Sequence, residues 1–257
     1  MDWINKFYST TGKWWGPAEQ KITPRDYRRL SNTKKLTKNH LKDVLELGAS
    51  YGNTAAVFAE DGLHITAIEI SDRIDFAENH KQKEYKGSLT FIKEDFYKIK
   101  LQHQFDTVCY WNGFGIGTDE NQRSLLRKAA KEWLTKDGSL IMDVLNPFVW
   151  TKWDKDEEHK KANPDLGYNF NVSQKIEFDP IQNRMYDTWW ETDKPEKKYT
   201  QTIRCYSPAD LLLLVEGTGL KVVYMEVEGE IIDWTNKIPP HHSIQKNHEY
   251  LVQLQIG

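Results

Sequence analysis

Apolar and polar positions along this chain fall into blocks whose period changes from one stretch to the next. Between residues 42 and 145, short apolar runs at 42–47, 63–69, 89–93, 105–111 and 138–145 exchange with helix-period stretches at 52–61, 72–85 and 119–134. Uninterrupted apolar runs mark strands buried on both faces, and their regular exchange with helices predicts a parallel sheet covered by helices on each side. Ahead of this block the spacing predicts short helices, one over 3–9, a turn at Gly16-Pro17, and a second helix after Thr23-Pro24 with Thr23 as cap. Behind it, a charged and turn-rich stretch gives way to period-two runs at 171–178, 184–191 and 199–206. Asp179-Pro180 and Asp193-Lys194-Pro195 separate these runs, which predicts an antiparallel β insertion. Ser207-Pro208 then opens a helix to Glu216, and strands at 219–228 and 249–256 close the chain. The expected organisation is a helical cap at 1–40, an α/β core at 41–147 and 207–257, and an insertion at 148–206.

One junction in this pattern carries chemistry. Residues 42–52 read Lys-Asp-Val-Leu-Glu-Leu-Gly-Ala-Ser-Tyr-Gly, an apolar strand breaking into a small-residue loop before a helix. Gly48, Ser50 and Gly52 let the main chain turn tightly and lie against a ligand, and the helix after them points its first N–H groups back at the loop. The next strand ends in Glu69, an acid suited to accept hydrogen bonds from the two hydroxyls of a ribose. A nucleoside fits such a place. The dinucleotide fingerprint requires glycine at the first, third and sixth positions, but here the sixth is Asn53. Glycine falls at the fifth position instead, and Glu46 stands two residues ahead of the first.

This arrangement resembles motif I of the class I S-adenosylmethionine-dependent methyltransferases, Asp/Glu-x-Gly-x-Gly-x-Gly, with Ser50 in place of the central glycine. Glu69 is similar to that family's ribose-binding acid, and Glu94-Asp95-Phe96 to its adenine-contacting loop. Residues 105–112 resemble its fourth strand leading into the active site, and 136–147 its glycine-led fifth strand. A closing pair of strands resembles its antiparallel seventh strand. The resemblance implies a seven-stranded, mostly parallel Rossmann-like sheet with an N-terminal helical lid and a β insertion forming an acceptor cover. It implies S-adenosylmethionine as cofactor, held by Glu46, Gly48, Ala49, Ser50, Gly52, Glu69, Ile70, Asp95, Phe96, Trp111 and Asn112. The activity it implies is methyl transfer to an oxygen or nitrogen of a small metabolite or short peptide. RNA or protein methylation, or a non-catalytic module that only binds the cofactor, are the alternatives.

Composition narrows the acceptor. With 35 basic and 38 acidic residues and a formal charge of −3, the chain has no broad basic footprint, which argues against a nucleic-acid partner. Asn112-Gly113-Phe114-Gly115 also departs from the Asn/Asp-Pro-Pro-Tyr/Phe of amide-directed nucleic-acid enzymes, and its glycines suit close approach of a small ligand. No apolar run approaches a bilayer span, so a cytoplasmic protein without a membrane partner is expected. Two cysteines, Cys109 and Cys205, lie in expected strands and read as core thiols.

Ten tryptophans and twelve tyrosines supply more aromatic area than the sheet core needs, which points to a ring-lined pocket. Trp14, Trp15 and Phe114 are candidate acceptor contacts, with Trp14 and Trp15 serving either as a lid or as a hydrophobic staple for the N-terminal helices. Tyr199 and Arg204, in the insertion, are candidates to orient a carboxylate or aromatic acceptor. His241 and His242, near His248 in the last connection, are candidate general bases because histidine titrates near neutrality. No metal is expected, since histidine pairs in polar loops are ordinarily solvated.

Overall fold

The computed structural model describes residues 2–37, 41–235 and 243–257, with the side chains of 2, 15–18 and 78 outside that description. In chain order the elements are α1 (Asp2–Glu19), α2 (Pro24–Thr37), β1 (Asp43–Leu47), α3 (Asn53–Glu60), β2 (His64–Glu69), α4 (Glu78–Lys81), β3 (Ser88–Lys93) and β4 (Phe105–Phe114). They continue through α5 (Asp119–Lys128), β5 (Leu134–Leu145), α6 (Pro147–Trp150), β6 (Glu157–Lys160), β7 (Val172–Asp179), β8 (Arg184–Glu191) and β9 (Tyr199–Arg204). The last are α7 (Pro208–Val215), β10 (Leu220–Val227), β11 (Glu230–Ile231) and β12 (Glu249–Ile256). The fold is α/β, and the chain divides into two compact units.

The first unit comprises Met1–Gln102, Glu157–Lys175 and Asp187–Gln201. Its strands run β1-β2-β3, both pairings parallel. Val44, Leu45, Leu47, Ile65, Ala67 and Ile68 are buried, and α3 adds the buried run from Thr54 to Ala59. Val44 to Leu47 are all buried, so both faces of β1 are covered, Glu46 included. The same unit holds β6 and the adjoining parts of β7, β8 and β9, in that order, with β6 antiparallel to β7. β6 reads Glu-Glu-His-Lys and is exposed throughout, so backbone pairing rather than burial makes it a strand. Charged residues along an edge discourage further pairing, and the same charges hid this strand among turn signals in the sequence.

Two other expectations change here. The N-terminal segment is one continuous helix through Gly16-Pro17 rather than a short helix and a turn. Phe7, Thr11 and Trp14 recur at helical spacing and are all buried, so packing of one face overrides the local turn signal. The expected helix over 72–85 is instead a 3₁₀ stretch, Asp72–Ala77, followed by the single-turn α4. Its aspartates bond across to β3, with Lys93 Nζ 2.9 Å from Asp72 and 2.7 Å from Asp75.

The second unit comprises His103–Asp156, Ile176–Tyr186 and Thr202–Gly257. Its strands run β4-β5-β12-β10-β11, parallel at β4-β5 and antiparallel thereafter. The reversed β12 between β5 and β10 is the antiparallel ending the sequence implied. Among the described residues the two units carry three and five such strands, one more than the seven expected, the addition being the two-residue β11. Val108, Cys109, Leu140, Ile141, Met142, Val252 and Leu254 fill the core. α5 is closed by a capping box between Thr118 and Asn121, then continues as a π-helical stretch over Ala129–Trp133 that buries Trp133.

Ser207 caps α7 as its sequence predicts, accepting from the Asp210 N–H at 3.2 Å while Asp210 accepts from the Ser207 N–H at 3.1 Å. Ser207→Ala removes one half of this box, worth about 1 kcal/mol in comparable helices. Thermal unfolding should show a Tm lowered by about 2–4 °C, and an unchanged Tm would show the cap to be idle.

Candidate active site

In the first unit the strand-to-helix turn after β1 closes around three left-handed residues, Gly48 (φ 66°), Ser50 (φ 52°) and Gly52 (φ 77°). A Cβ on Gly52 would lie 2.4 Å from Phe91 Cζ, so glycine is required there by space as well as by φ. The turn is fastened to β2 by its backbone, Ala49 N–H donating to Ile68 O at 2.9 Å. A second fastening comes from Glu69. One of its carboxylate oxygens accepts from Ser50 N–H and the other from Ser71 N–H, each at 2.8 Å, in a site where the residue is 5% exposed. A carboxylate offers about four lone-pair directions. Two therefore hold the loop, and the remaining two are of the type a ribose diol would satisfy.

Helix α1 lies across this loop. Asn53 Nδ2 donates to Glu19 O at 2.7 Å, Tyr51 OH to Gly12 O at 3.2 Å, Asp72 N–H to Ser9 Oγ at 3.0 Å and Asn5 Nδ2 to Ile70 O at 3.2 Å. Between helix and loop sits Arg73, with Nε on Tyr8 O at 3.1 Å, Nη2 on Thr11 Oγ1 at 2.8 Å and Nη1 on Ser50 Oγ at 3.3 Å. Its guanidinium carbon is 4.9 Å from the centre of the Tyr8 ring and 5.3 Å from that of Tyr51. Burial pushes both phenols up, Tyr51 to about 12, so each remains a donor through the neutral range. Tyr8 OH donates to Gln201 Oε1 at 2.8 Å, and Gln201 Nε2 to Asp187 at 2.7 Å. Asp187 also accepts from Gln174 Nε2 at 2.8 Å, and burial raises its pKa against the lowering effect of these bonds.

The residues singled out in the sequence separate into groups. Gly48, Ala49, Ser50, Gly52, Glu69 and Ile70 are gathered at the turn. Glu46 is buried, feels the charges of Arg29, Asp26 and Glu69, and receives the Ala55 backbone N–H. Asp95 caps its own turn by accepting from Tyr97 N–H at 2.9 Å, and the Phe96 ring packs on Tyr97 at 4.8 Å. Trp14 and Tyr199 do come together, rings 5.9 Å apart, in a buried cluster with Phe7, Val172 and Trp189. The cluster joins α1 to the strands that carry Val172, Trp189 and Tyr199. The Trp15 side chain, and both His241 and His242, lie outside the described residues.

In the second unit Trp111 is buried within β4, and Asn112 follows it exposed, with φ 56° and its N–H donating to the Asp143 carboxylate. Phe114 packs between Tyr110 and Tyr206, with ring centres 6.3 and 5.6 Å away, as a core residue. Arg204 lies 4.7 Å from the centre of the Tyr206 ring and 3.5 Å from Asp119, and donates to the carbonyls of Asn183 and Cys205. Sequence reasoning passed over Arg73, Tyr8, Asp187 and Gln201, since none stands in a motif. The one available signal was Gly12, a glycine in a helix interior where a Cβ would lie 2.8 Å from Arg73 Cγ.

Residues 44–138 match the methyltransferase domain family. The fold is shared with the CcbJ methyltransferase from Streptomyces caelestis, at 17% identity and TM-score 0.70 over 91% of this chain and 90% of that one. An S-adenosylmethionine-dependent methyltransferase from Clostridium acetobutylicum ATCC 824 aligns at 14% identity and TM-score 0.68 over 98% of each chain. The sugar N-methyltransferase KedS8 from Streptoalloteichus sp ATCC 53650 aligns at 13% identity and TM-score 0.60 over 90% of this chain and 87% of that one. No curated protein matches the sequence. Residues 44–138 are therefore a methyltransferase domain, and the fold is one shared with S-adenosylmethionine-dependent methyltransferases. When bound, that cofactor supplies a methyl group activated on a sulfonium. The left-handed turn, the two remaining lone-pair directions of Glu69 and the glycine at 52 fit its adenosyl portion.

Glu46 is 4% exposed, and its Oε2 has no hydrogen-bond partner among the described residues. Burial pushes its carboxyl from 4.5 up to about 8. The folded chain therefore holds this proton over a range in which the unfolded chain releases it, and stability falls as pH rises from about 4.5 to about 8. Glu46→Gln removes that loss. The variant should melt several degrees above wild type at pH 8, with the gap closing toward pH 5, at about 2–4 °C per kcal/mol. A gap independent of pH would show that Glu46 is ionised in its site.

Proposed function

We propose that this enzyme methylates a nitrogen or oxygen of a small metabolite or short peptide, with an amine on a polar, sugar-like scaffold as the first acceptor to test. The observation that carries this reading is the placement of α1, which is hydrogen-bonded across the cofactor loop at Gly12, Ser9, Asn5 and Glu19. A loop covered by a helix suits an acceptor small enough to enter beneath the cover. A duplex or a folded protein needs an open face. The near-neutral balance of charge supports the same choice, since nucleic-acid enzymes ordinarily carry a basic surface. The sugar N-methyltransferase KedS8 shares the fold and lends support to an amine acceptor.

Under this reading the chain positions rather than activates. Methyl transfer from a sulfonium needs the acceptor lone pair in line with the methyl and a place for the departing proton. We assign the proton to His241 or His242, and cofactor binding to Gly48, Ala49, Ser50, Gly52, Glu69, Ile70, Trp111 and Asn112. Asp95 and Phe96 complete the nucleoside site in the same proposal. The inserted strands, with Trp14 and Tyr199, supply the acceptor wall. No helix among the described residues is long and apolar enough to cross a membrane. Cys109 and Cys205 are buried thiols not joined in a disulfide, which suits the reducing cytoplasm, where we place the enzyme.

Incubation with methyl-labelled S-adenosylmethionine and pools of amino sugars, amino acids and short peptides should transfer label to a small product and release S-adenosylhomocysteine. In that assay alanine at the histidine that takes the proton should lower turnover by about 100-fold or more. Cofactor binding with label reaching only RNA or protein would contradict the proposed acceptor class. Binding without any release of S-adenosylhomocysteine would favour a sensor instead.

A further inference from the structure

Ser50 holds the central position of the cofactor loop in the left-handed region, at φ 52°, where a side chain is disfavoured and glycine is the ordinary occupant. Its hydroxyl accepts a hydrogen bond from Arg73 Nη1 at 3.3 Å. The same guanidinium takes hold of α1 at two points, the Tyr8 carbonyl and the Thr11 hydroxyl, and lies against the rings of Tyr8 and Tyr51. Gly12 gives it room, because a Cβ there would stand 2.8 Å from Arg73 Cγ. Two conformationally costly choices, a serine at positive φ and a glycine inside a helix, therefore converge on one arginine.

The connection continues beyond α1. Tyr8 OH donates to Gln201 Oε1, and the Gln201 amide donates in turn to Asp187, which is 6% exposed and is also held by Gln174. An amide has one acceptor end and one donor end. With the donor end of Gln201 committed to Asp187, its oxygen faces Tyr8, and the phenol has a defined direction. At the other end of the chain, Ser50 N–H is held by Glu69. A ligand that engages Glu69 thus acts on the residue that Arg73 grips.

We propose that Arg73 is a positioning residue that couples cofactor binding at Ser50 and Glu69 to the placement of α1 and, through Tyr8 and Gln201, of the buried Asp187 in the inserted strands. The inference rests on the chain's use of S-adenosylmethionine. The guanidinium is suited to the task because its planar fork presents donors in fixed directions, so one side chain registers three acceptors at once. Loading the cofactor stiffens the loop, the loop holds Arg73, and Arg73 holds the helix and the strands behind it.

Hydrogen exchange on the full chain, with and without S-adenosylhomocysteine, tests this. In the wild type, peptides covering 5–14 and 187–201 should exchange about tenfold more slowly with the ligand bound. Arg73→Lys keeps the charge but loses the fork, and should lose this ligand-dependent slowing in both segments. Tyr8→Phe keeps the ring on Arg73 but severs the link to Gln201, so slowing should persist in 5–14 and disappear from 187–201. Ser50→Ala, which removes only the accepting oxygen, should behave as Arg73→Lys and carries the test should that variant fail to fold. The coupling is overturned if slowing persists unchanged in Arg73→Lys and Ser50→Ala, or if exchange rises equally with and without ligand, as a purely structural contact would cause. A wild type that binds S-adenosylhomocysteine by calorimetry without slowing in 5–14 overturns the coupling alone. A wild type that does not bind it overturns the cofactor assignment as well.

Discussion

The strand-to-helix turn after β1 depends on one carboxylate, that of Glu69, which holds it in place by accepting the N–H groups of Ser50 and Ser71. The constraint is backbone-directed. It fixes the turn regardless of the side chains around it, and it does so from the end of a buried strand whose own position is set by parallel pairing with β1. Hydrogen bonds to a charged acceptor are the stronger kind, and here two of them oppose the conformational strain of a left-handed serine. What remains open on the carboxylate is the capacity to accept from hydroxyl groups.

The contrast with Glu46 shows how environment divides two acids only one strand apart. Glu69 accepts the backbone N–H groups of Ser50 and Ser71, one on each oxygen. Glu46, buried between β1 and the helices α2 and α3, keeps its proton to about pH 8 because desolvation outweighs the attraction of Arg29. One acid holds a turn through two backbone hydrogen bonds. The other is a polar group in the core, tolerated in its neutral form.

Much of this was legible in the sequence for a physical reason: buried strands leave short, predominantly apolar runs, and β1, β2, β5 and β12 all show them. The caps were legible too, since Ser207-Pro208 and its Asp210 partner act within one turn. The turn after β1 announced itself through small residues, and Glu69 through its place at a strand end. Arg73 did not, because its role comes from the crossing of α1, a contact between residues more than sixty positions apart. α1 itself was misread as two pieces, for the turn signal of Gly16-Pro17 is local whereas the packing of Phe7 and Trp14 that overrides it is not. β6 was invisible for the opposite reason, as a strand defined by pairing alone leaves no apolar trace.

The most direct measurement of the central claim is calorimetric titration of S-adenosylhomocysteine into wild type, Glu69→Gln and Glu69→Ala. Loss of a charged acceptor costs roughly 1.5–3 kcal/mol, so Glu69→Ala should weaken binding by about 10–100-fold, with Glu69→Gln in between. Equal affinities in all three proteins would mean that this carboxylate neither holds the loop nor meets the ligand, and the account of the site would be wrong.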